Sequence, residues 1–187
     1  MASTIELLTL AKLAARPPVA AWVDITPYTN ATASYNQMSN TWPVDAYDPA
    51  VGTTYRLTVR GAGTQGSTQQ AIGHQVNCLG AATIANRVMA AATIGSSDVF
   101  SWLYAVEITV LTIGATGTAR VSSDFTWTQG TGGSGITATN SVTAITEATA
   151  SINTTVNGNV ALQMAWGSAT GGPTLTSYRS VFERIGP

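Results

Sequence analysis

The stretch Trp102-Leu-Tyr-Ala-Val-Glu107-Ile-Thr-Val-Leu-Thr-Ile113 decides how the rest of the chain reads. Trp102, Tyr104, Val106, Ile108 and Val110 fall on every second position, with Leu103, Ala105, Glu107 and Thr109 between them. A period of two puts the first set on one face of an extended strand and the second set on the other. The residues are aromatic or β-branched for most of the run, which suits a pleated, half-buried surface. Glu107 belongs to the wet face, and Leu111 and Ile113 fall on that face near the end of the run.

The same alternation recurs on both sides. Tyr55, Leu57 and Val59 alternate with Arg56, Thr58 and Arg60, and Gly61-Ala-Gly63 to Gly66-Ser67 reads as the turn that follows. Ile72, His74, Val76 and Cys78 share the next face. Residues 82–94 alternate more weakly, as two short strands or one strand with a bulge. Ala119, Val121, Ser123, Phe125 and Trp127 follow, then a glycine-rich tip from Gln129 to Gly135 and a Thr/Ala/Ser tract over 137–156. Asn157-Gly158 carries a hairpin signal. Val160, Leu162, Met164 and Trp166 form one face of a penultimate strand, and Gly171-Gly172-Pro173 leads into a last strand ending near Ile185. About eight strands with turn signals every 8–15 residues, and no helical period after residue 16, predict an all-β fold. Alternation of this kind belongs to antiparallel sheets with one buried face. The expected architecture is an antiparallel β-sandwich, specifically a jelly roll, over residues 54–187.

Residues 1–19 read differently. Ser3-Thr4-Ile5-Glu6 has the form of a capping box, the apolar residues Ile5, Leu7, Leu8, Leu10 and Leu13 follow, and Pro17-Pro18 ends the segment. The expectation is a short α-helical arm, roughly 18 Å long at 1.5 Å per residue. A helix this short is marginal alone in water, so it docks either on its own domain or on a neighbouring protein. A secretory leader is not expected: no basic region precedes the apolar run, Glu6 stands before it and Lys12 interrupts it. The run is also too short to span a membrane. Residues 20–53 are expected to hold a short strand near Trp22–Thr26 and then a long irregular connection set with Tyr28, Tyr35, Trp42 and Tyr47. Those rings either cap an open end of the sandwich or contact a partner, as Tyr and Trp often do.

Composition narrows the function. Of 187 residues only 9% are charged, with 8 Lys+Arg against 9 Asp+Glu and a net charge of −1. Nucleic-acid binding through a basic patch needs clustered cations that this chain does not have. At 44% hydrophobic residues with five Trp, the chain is not disordered either. A surface of hydroxyls and amides suits a protein that spends its life assembled, since long charged side chains cost entropy and desolvation at every contact.

Chemistry is sparse. One Cys and one His leave no disulfide framework and no thiolate metal cage, and no cofactor or metal is expected. His74 and Cys78 sit on an apolar strand face and read as core residues. Gly61-Ala-Gly63-Thr-Gln-Gly66 matches the letters of a dinucleotide motif, but no helix follows to receive a phosphate. Asp45 and Asp48 lie in a Pro-flanked turn, where Asp serves local hydrogen bonds, so they are not read as a hydrolytic pair. No enzymatic activity is expected.

Three segments carry a family resemblance: Tyr55-Arg-Leu-Thr-Val-Arg60-Gly61, Trp102 to Gly117, and Asn159-Val-Ala-Leu-Gln-Met-Ala-Trp166 followed by Arg179 to Ile185. Over residues 50–187 the chain resembles the small Thr/Gly/Ala-rich β-sandwich proteins of tailed-bacteriophage virions. The resemblance implies a jelly-roll domain, commonly a homotrimer, acting as a capsid decoration (cement) protein or as the head of a tail or head fibre. No heptads or repeats supply a fibre stalk, which favours decoration of the capsid surface. On that reading the partner is the major capsid protein, and Ile5, Leu8, Leu13, Trp22, Tyr28, Tyr35, Trp42 and Tyr47 are the candidate contact residues. The fibre alternative implies binding to a host-surface glycan.

Overall fold

A computed structural model describes residues 19–79, 81–89, 95–130 and 140–186. The helical reading of the first eighteen residues and most of the glycine-rich tip therefore lie outside the described residues. Within them, the strands in chain order are β1 (Val19–Asp24), β2 (Tyr28–Asn30), β3 (Asn36–Gln37), β4 (Trp42–Val44), β5 (Thr54–Thr64), β6 (Ile72–Cys78), β7 (Ala81–Met89), β8 (Val99–Thr112), β9 (Gly117–Gly130), β10 (Asn140–Ile152), β11 (Gly158–Trp166) and β12 (Thr174–Ile185).

These strands form two antiparallel sheets. The larger runs β1-β12-β5-β8-β9-β10 with β2 beside β12, and the smaller runs β3-β11-β6-β7 with β4 beside β11. The pairing is nested. First meets last in β1–β12, then β3 and β4 meet β11, then β5 meets β8 and β6 meets β7. Successive pairs alternate between the two sheets, which is the wrapping of a jelly roll. β9 and β10 extend the larger sheet beyond β8.

Period-two patterning places the core between the layers. Tyr55, Leu57 and Val59 of β5 and Phe100, Trp102, Tyr104, Val106 and Ile108 of β8 are at most 3% exposed. From the smaller sheet, Ile72, Val76 and Cys78 face Val160, Leu162, Met164 and Trp166 along β6 and β11, all buried. Removing each such aliphatic side chain from water contributes roughly 1.5–3 kcal/mol. His74 is buried with them, its ring 5.2 Å from those of both Tyr104 and Phe125.

Three details differ from the sequence reading. The segment after β1 is not an unbroken irregular connection, because β2, β3 and β4 lie within it. Gly61 and Gly63 do not turn the chain: β5 continues to Thr64, and the rings of Trp102 and Phe100 fill the space that side chains there would need. Asn157-Gly158 does not close a hairpin, because β10 and β11 belong to different sheets. Asn157 Oδ1 instead accepts the Ala46 N–H at 2.9 Å, which ties this crossover to the loop before β5. Of the weakly alternating segment, Ala81–Met89 is one strand, β7, with two register shifts against β6, and residues 90–94 lie outside the described residues.

Candidate partner-docking surface

Register fixes where the chain's first residues join the body. Val19 pairs with Ile185, Ile185 with Thr54, and Thr54 with Thr109, so β1 begins at the end of the sandwich where β5 starts and β8 finishes. The loops at that end are stitched to one another. Gly52 N–H donates to Val110 O at 2.9 Å and Tyr47 N–H to Thr154 O at 2.7 Å. Thr154 N–H donates to Gly114 O at 3.1 Å, and Gly114 N–H donates to Thr154 Oγ1 at 2.8 Å. Asp48 and Arg184, 3.3 Å apart, hold the 45–48 turn beside β12.

This end exposes apolar side chains. Tyr47, Val51, Ile113 and Val156 stand in these loops at 77%, 58%, 57% and 46% exposure. Tyr47 has φ +60°, a backbone conformation that non-glycine residues rarely adopt. Its N–H is held by Thr154 O, but its ring gains no burial in return. Along the adjoining edge, Trp22, Val23 and Ile25 of β1 and the residues after it are 45%, 55% and 75% exposed. Beside the point where the leading segment joins, an apolar rim therefore runs from the end loops onto β1.

The eight sequence-predicted residues separate into four situations. Ile5, Leu8 and Leu13 lie outside the described residues. Trp22 and Tyr47 are exposed on the rim, although one face of the Trp22 ring stacks on Phe182 at 5.6 Å. Trp42 is buried, stacking on Phe182 at 5.8 Å with Tyr55 on the same ring at 5.8 Å. It closes the end of the sandwich and presents no contact face, the capping role that was its alternative. Tyr28 and Tyr35 are half-buried. The Tyr28 hydroxyl donates to Asp24 Oδ2 at 3.0 Å, and Tyr35 lies against Gly73. Partial burial pushes the Asp24 carboxyl up, but hydrogen bonds from Thr26 and Tyr28 outweigh it and its pKa lies below the ordinary value. Desolvation, reinforced by Asp24, pushes the Tyr28 phenol up.

Sequence reasoning missed Val51, Ile113 and Val156 as members of one surface. They come from three separate loops, and only the strand register brings those loops together.

Most of the acidic groups among the described residues engage in local contacts. Glu107 accepts from Arg56 Nε at 2.8 Å, Glu147 accepts from Arg120 Nη2 at 2.8 Å, and Gln129 donates to Asp98. Among the described residues no group of three His, Cys, Asp or Glu could hold a metal ion, and no helix is long and apolar enough to cross a membrane.

No family model matches the chain, and no curated protein matches it. Solved structures give distant likenesses. The VP2 subviral particle of infectious bursal disease virus is 10% identical at a TM-score of 0.38, over 90% of this chain and 33% of that one. Arcelin-5, a lectin-like defense protein from Phaseolus vulgaris, is 8% identical at a TM-score of 0.40, over 91% of this chain and 100% of that one. Peanut lectin is 9% identical at a TM-score of 0.36, over 89% of this chain and 97% of that one. This chain spans about a third of the VP2 chain's length. At these scores the likenesses carry no functional argument.

Proposed function

We propose that this chain is a non-enzymatic structural protein of a bacteriophage virion, which decorates and stabilises the capsid. Its leading segment, with Ile5, Leu8 and Leu13, docks on the major capsid protein, and the apolar rim at the adjoining end of the sandwich completes the contact. Binding only the assembled shell lowers the free energy of that shell by mass action. A homotrimer spreads the grip over three arms.

The observation that carries this reading is the convergence at one end of the sandwich. The residues exposed there are aromatic and aliphatic, Tyr47 among them in a strained backbone, and residues 1–18 join the body at the same end. A charge-poor composition supports it, because contacts made through such a surface desolvate few ions.

The test is retention on purified particles stripped of this chain. Full-length protein rebinds and withstands washing, whereas protein lacking residues 2–18, or carrying W22A with Y47A, folds normally and washes off. Equal retention of all three proteins refutes the assignment. A tail- or head-fibre module that binds a host-surface glycan is the second reading, favoured by a hollow on the outer face of the larger sheet.

A further inference from the structure

We propose that the outer face of the larger sheet holds a binding site for an acidic saccharide, built on Arg60, Arg179 and Tyr178. Its residues are distinct from those of the docking rim, although Val23, the register partner of Val181, brings the β1 edge of that rim beside the site. Arg60 lies six residues along β5 from Thr54, which at about 3.3 Å per residue places it about 20 Å from the end where the leading segment joins.

Arg179 is the register partner of Arg60 across β12 and β5. Like charges placed opposite each other on neighbouring strands, with Cβ atoms about 5 Å apart, repel and destabilise the pair. Both residues are exposed, and neither makes an ion pair among the described residues. The contrast lies on the same face: Arg56, four positions back along β5, sits between Glu107 and Glu183 at 2.6 and 3.6 Å. One arginine of the strand is neutralised on both sides, while the other faces a second arginine. An anion held between two guanidinium groups removes that repulsion, and the fork geometry of each matches a carboxylate.

The surroundings favour a sugar over a bare ion. The register shift between Ser177 and Arg179 leaves Tyr178 as the extra residue of a bulge, and its ring is 55% exposed. Bulges re-aim side chains in this way. Tyr178 and Arg60 line an open hollow of about 400 Å³, together with Ser101, Thr126 and Thr128. A second hollow of about 230 Å³ lies against both arginines. An aromatic wall for a pyranose face, side-chain hydroxyls for its hydroxyl groups and two guanidinium groups for its carboxylate make a complementary set. A nucleic acid does not fit this face, because the whole chain carries only 8 Lys+Arg.

Calorimetric and NMR titrations with 3′-sialyllactose and with a hyaluronan tetrasaccharide test the proposal, with lactose and inorganic sulfate as controls. At least one acidic oligosaccharide is expected to bind saturably and shift the amides of β5, β12 and β9. Lactose should bind about tenfold more weakly, and sulfate should fail to reproduce the shifts. R60Q and R179Q should each lower affinity about tenfold, and Y178A about threefold, whereas deleting residues 2–18 should change nothing. Because each glutamine relieves repulsion, R60Q and R179Q without ligand should melt at or above the wild-type temperature. Absence of saturable binding by both acidic oligosaccharides overturns the proposal, as does binding unaffected by R60Q and R179Q. Sulfate binding as tightly as the sugars also overturns it, leaving a general anion site.

Discussion

Gly61 stands directly opposite Trp102 across β5 and β8, and the Trp102 indole occupies the space where a Cβ on Gly61 would project. The indole Nε1 donates to Ala62 O at 3.1 Å, so the ring is locked over the glycine. On the other side the backbone oxygen of Thr176 blocks the same position. G61A therefore displaces either a buried tryptophan or a sheet hydrogen bond, a destabilisation of about 2–3 kcal/mol. Urea denaturation of the variant should show that loss, with an unchanged slope. A shift below about 0.5 kcal/mol would show that the sheet opens freely there.

The two tryptophans stacked on Phe182 should separate by their exposure. W42A removes a ring that is 7% exposed from the closed end of the core, and the expected cost is about 3–5 kcal/mol. W22A removes a ring that is 45% exposed and stacked on one face, and should cost only about 1 kcal/mol. Thermal melts of the two variants measure the difference. Comparable costs would mean that Trp22 belongs to the core and is not available to a partner.

Tyr47 offers the reverse experiment. Its backbone sits at φ +60° with an exposed ring, so glycine fits the conformation better. Y47G should raise stability by about 0.5–1 kcal/mol, measured by chemical denaturation. If the residue serves docking, the same variant loses retention on particles. A destabilised Y47G would mean that the ring makes folding contacts of its own.

How far the sequence can be read follows from which interactions repeat along it. Period-two alternation marked the inner faces of β5, β6, β8, β9 and β11, because each buried residue repeats the same signal. Gly61 and Gly63 misled because glycine marks both turns and close ring packing, and only a cross-strand partner distinguishes them. Asn157-Gly158 misled because the signal reports local backbone preference, whereas the Asn157 side chain is engaged by Ala46, far away in sequence. For the docking rim, Trp22 and Tyr47 were legible as aromatics in the segment before β5. Val51, Ile113 and Val156 were not, since a single aliphatic residue in a loop carries no periodicity.

Alkaline pH should unfold this protein earlier than its ion pairs suggest. Burial pushes the Cys78 thiol and the Tyr55 phenol up to about 12, and the Tyr104 phenol higher still. All three are neutral acids in the folded state and ionise more readily once unfolded, so the unfolded chain binds fewer protons at high pH. Stability is then complete below the ordinary thiol and phenol values and falls from about pH 9 through about 12. Denaturation midpoints measured from pH 8 to 11.5 should decline steadily, with C78A removing the earliest part of the decline. A flat profile to pH 11.5 would show that these groups are solvated in the native state.

Asn30 gives the sharpest test of how the two sheets are joined. It is 1% exposed at the end of β2. Its Nδ2 donates to Ser34 O at 3.0 Å and to Met164 O of the opposite sheet at 2.6 Å. Its Oδ1 accepts from Thr32 N at 2.8 Å, Thr32 Oγ1 at 2.9 Å and Asn36 Nδ2 at 2.9 Å. N30D keeps the shape and the accepting oxygen but turns two donated bonds into a carboxylate facing two carbonyl oxygens. The expected loss at neutral pH is about 3 kcal/mol or more, since a buried charge is left without donors on one side. Protonation restores one donor, so the deficit of N30D relative to wild type should shrink as pH falls from 7 to 4. N30A leaves the same carbonyls without donors but adds no charge, and its smaller deficit should be independent of pH. Denaturation of the three proteins across that range separates the outcomes, and a pH-independent deficit in N30D would show that water reaches the junction between the sheets.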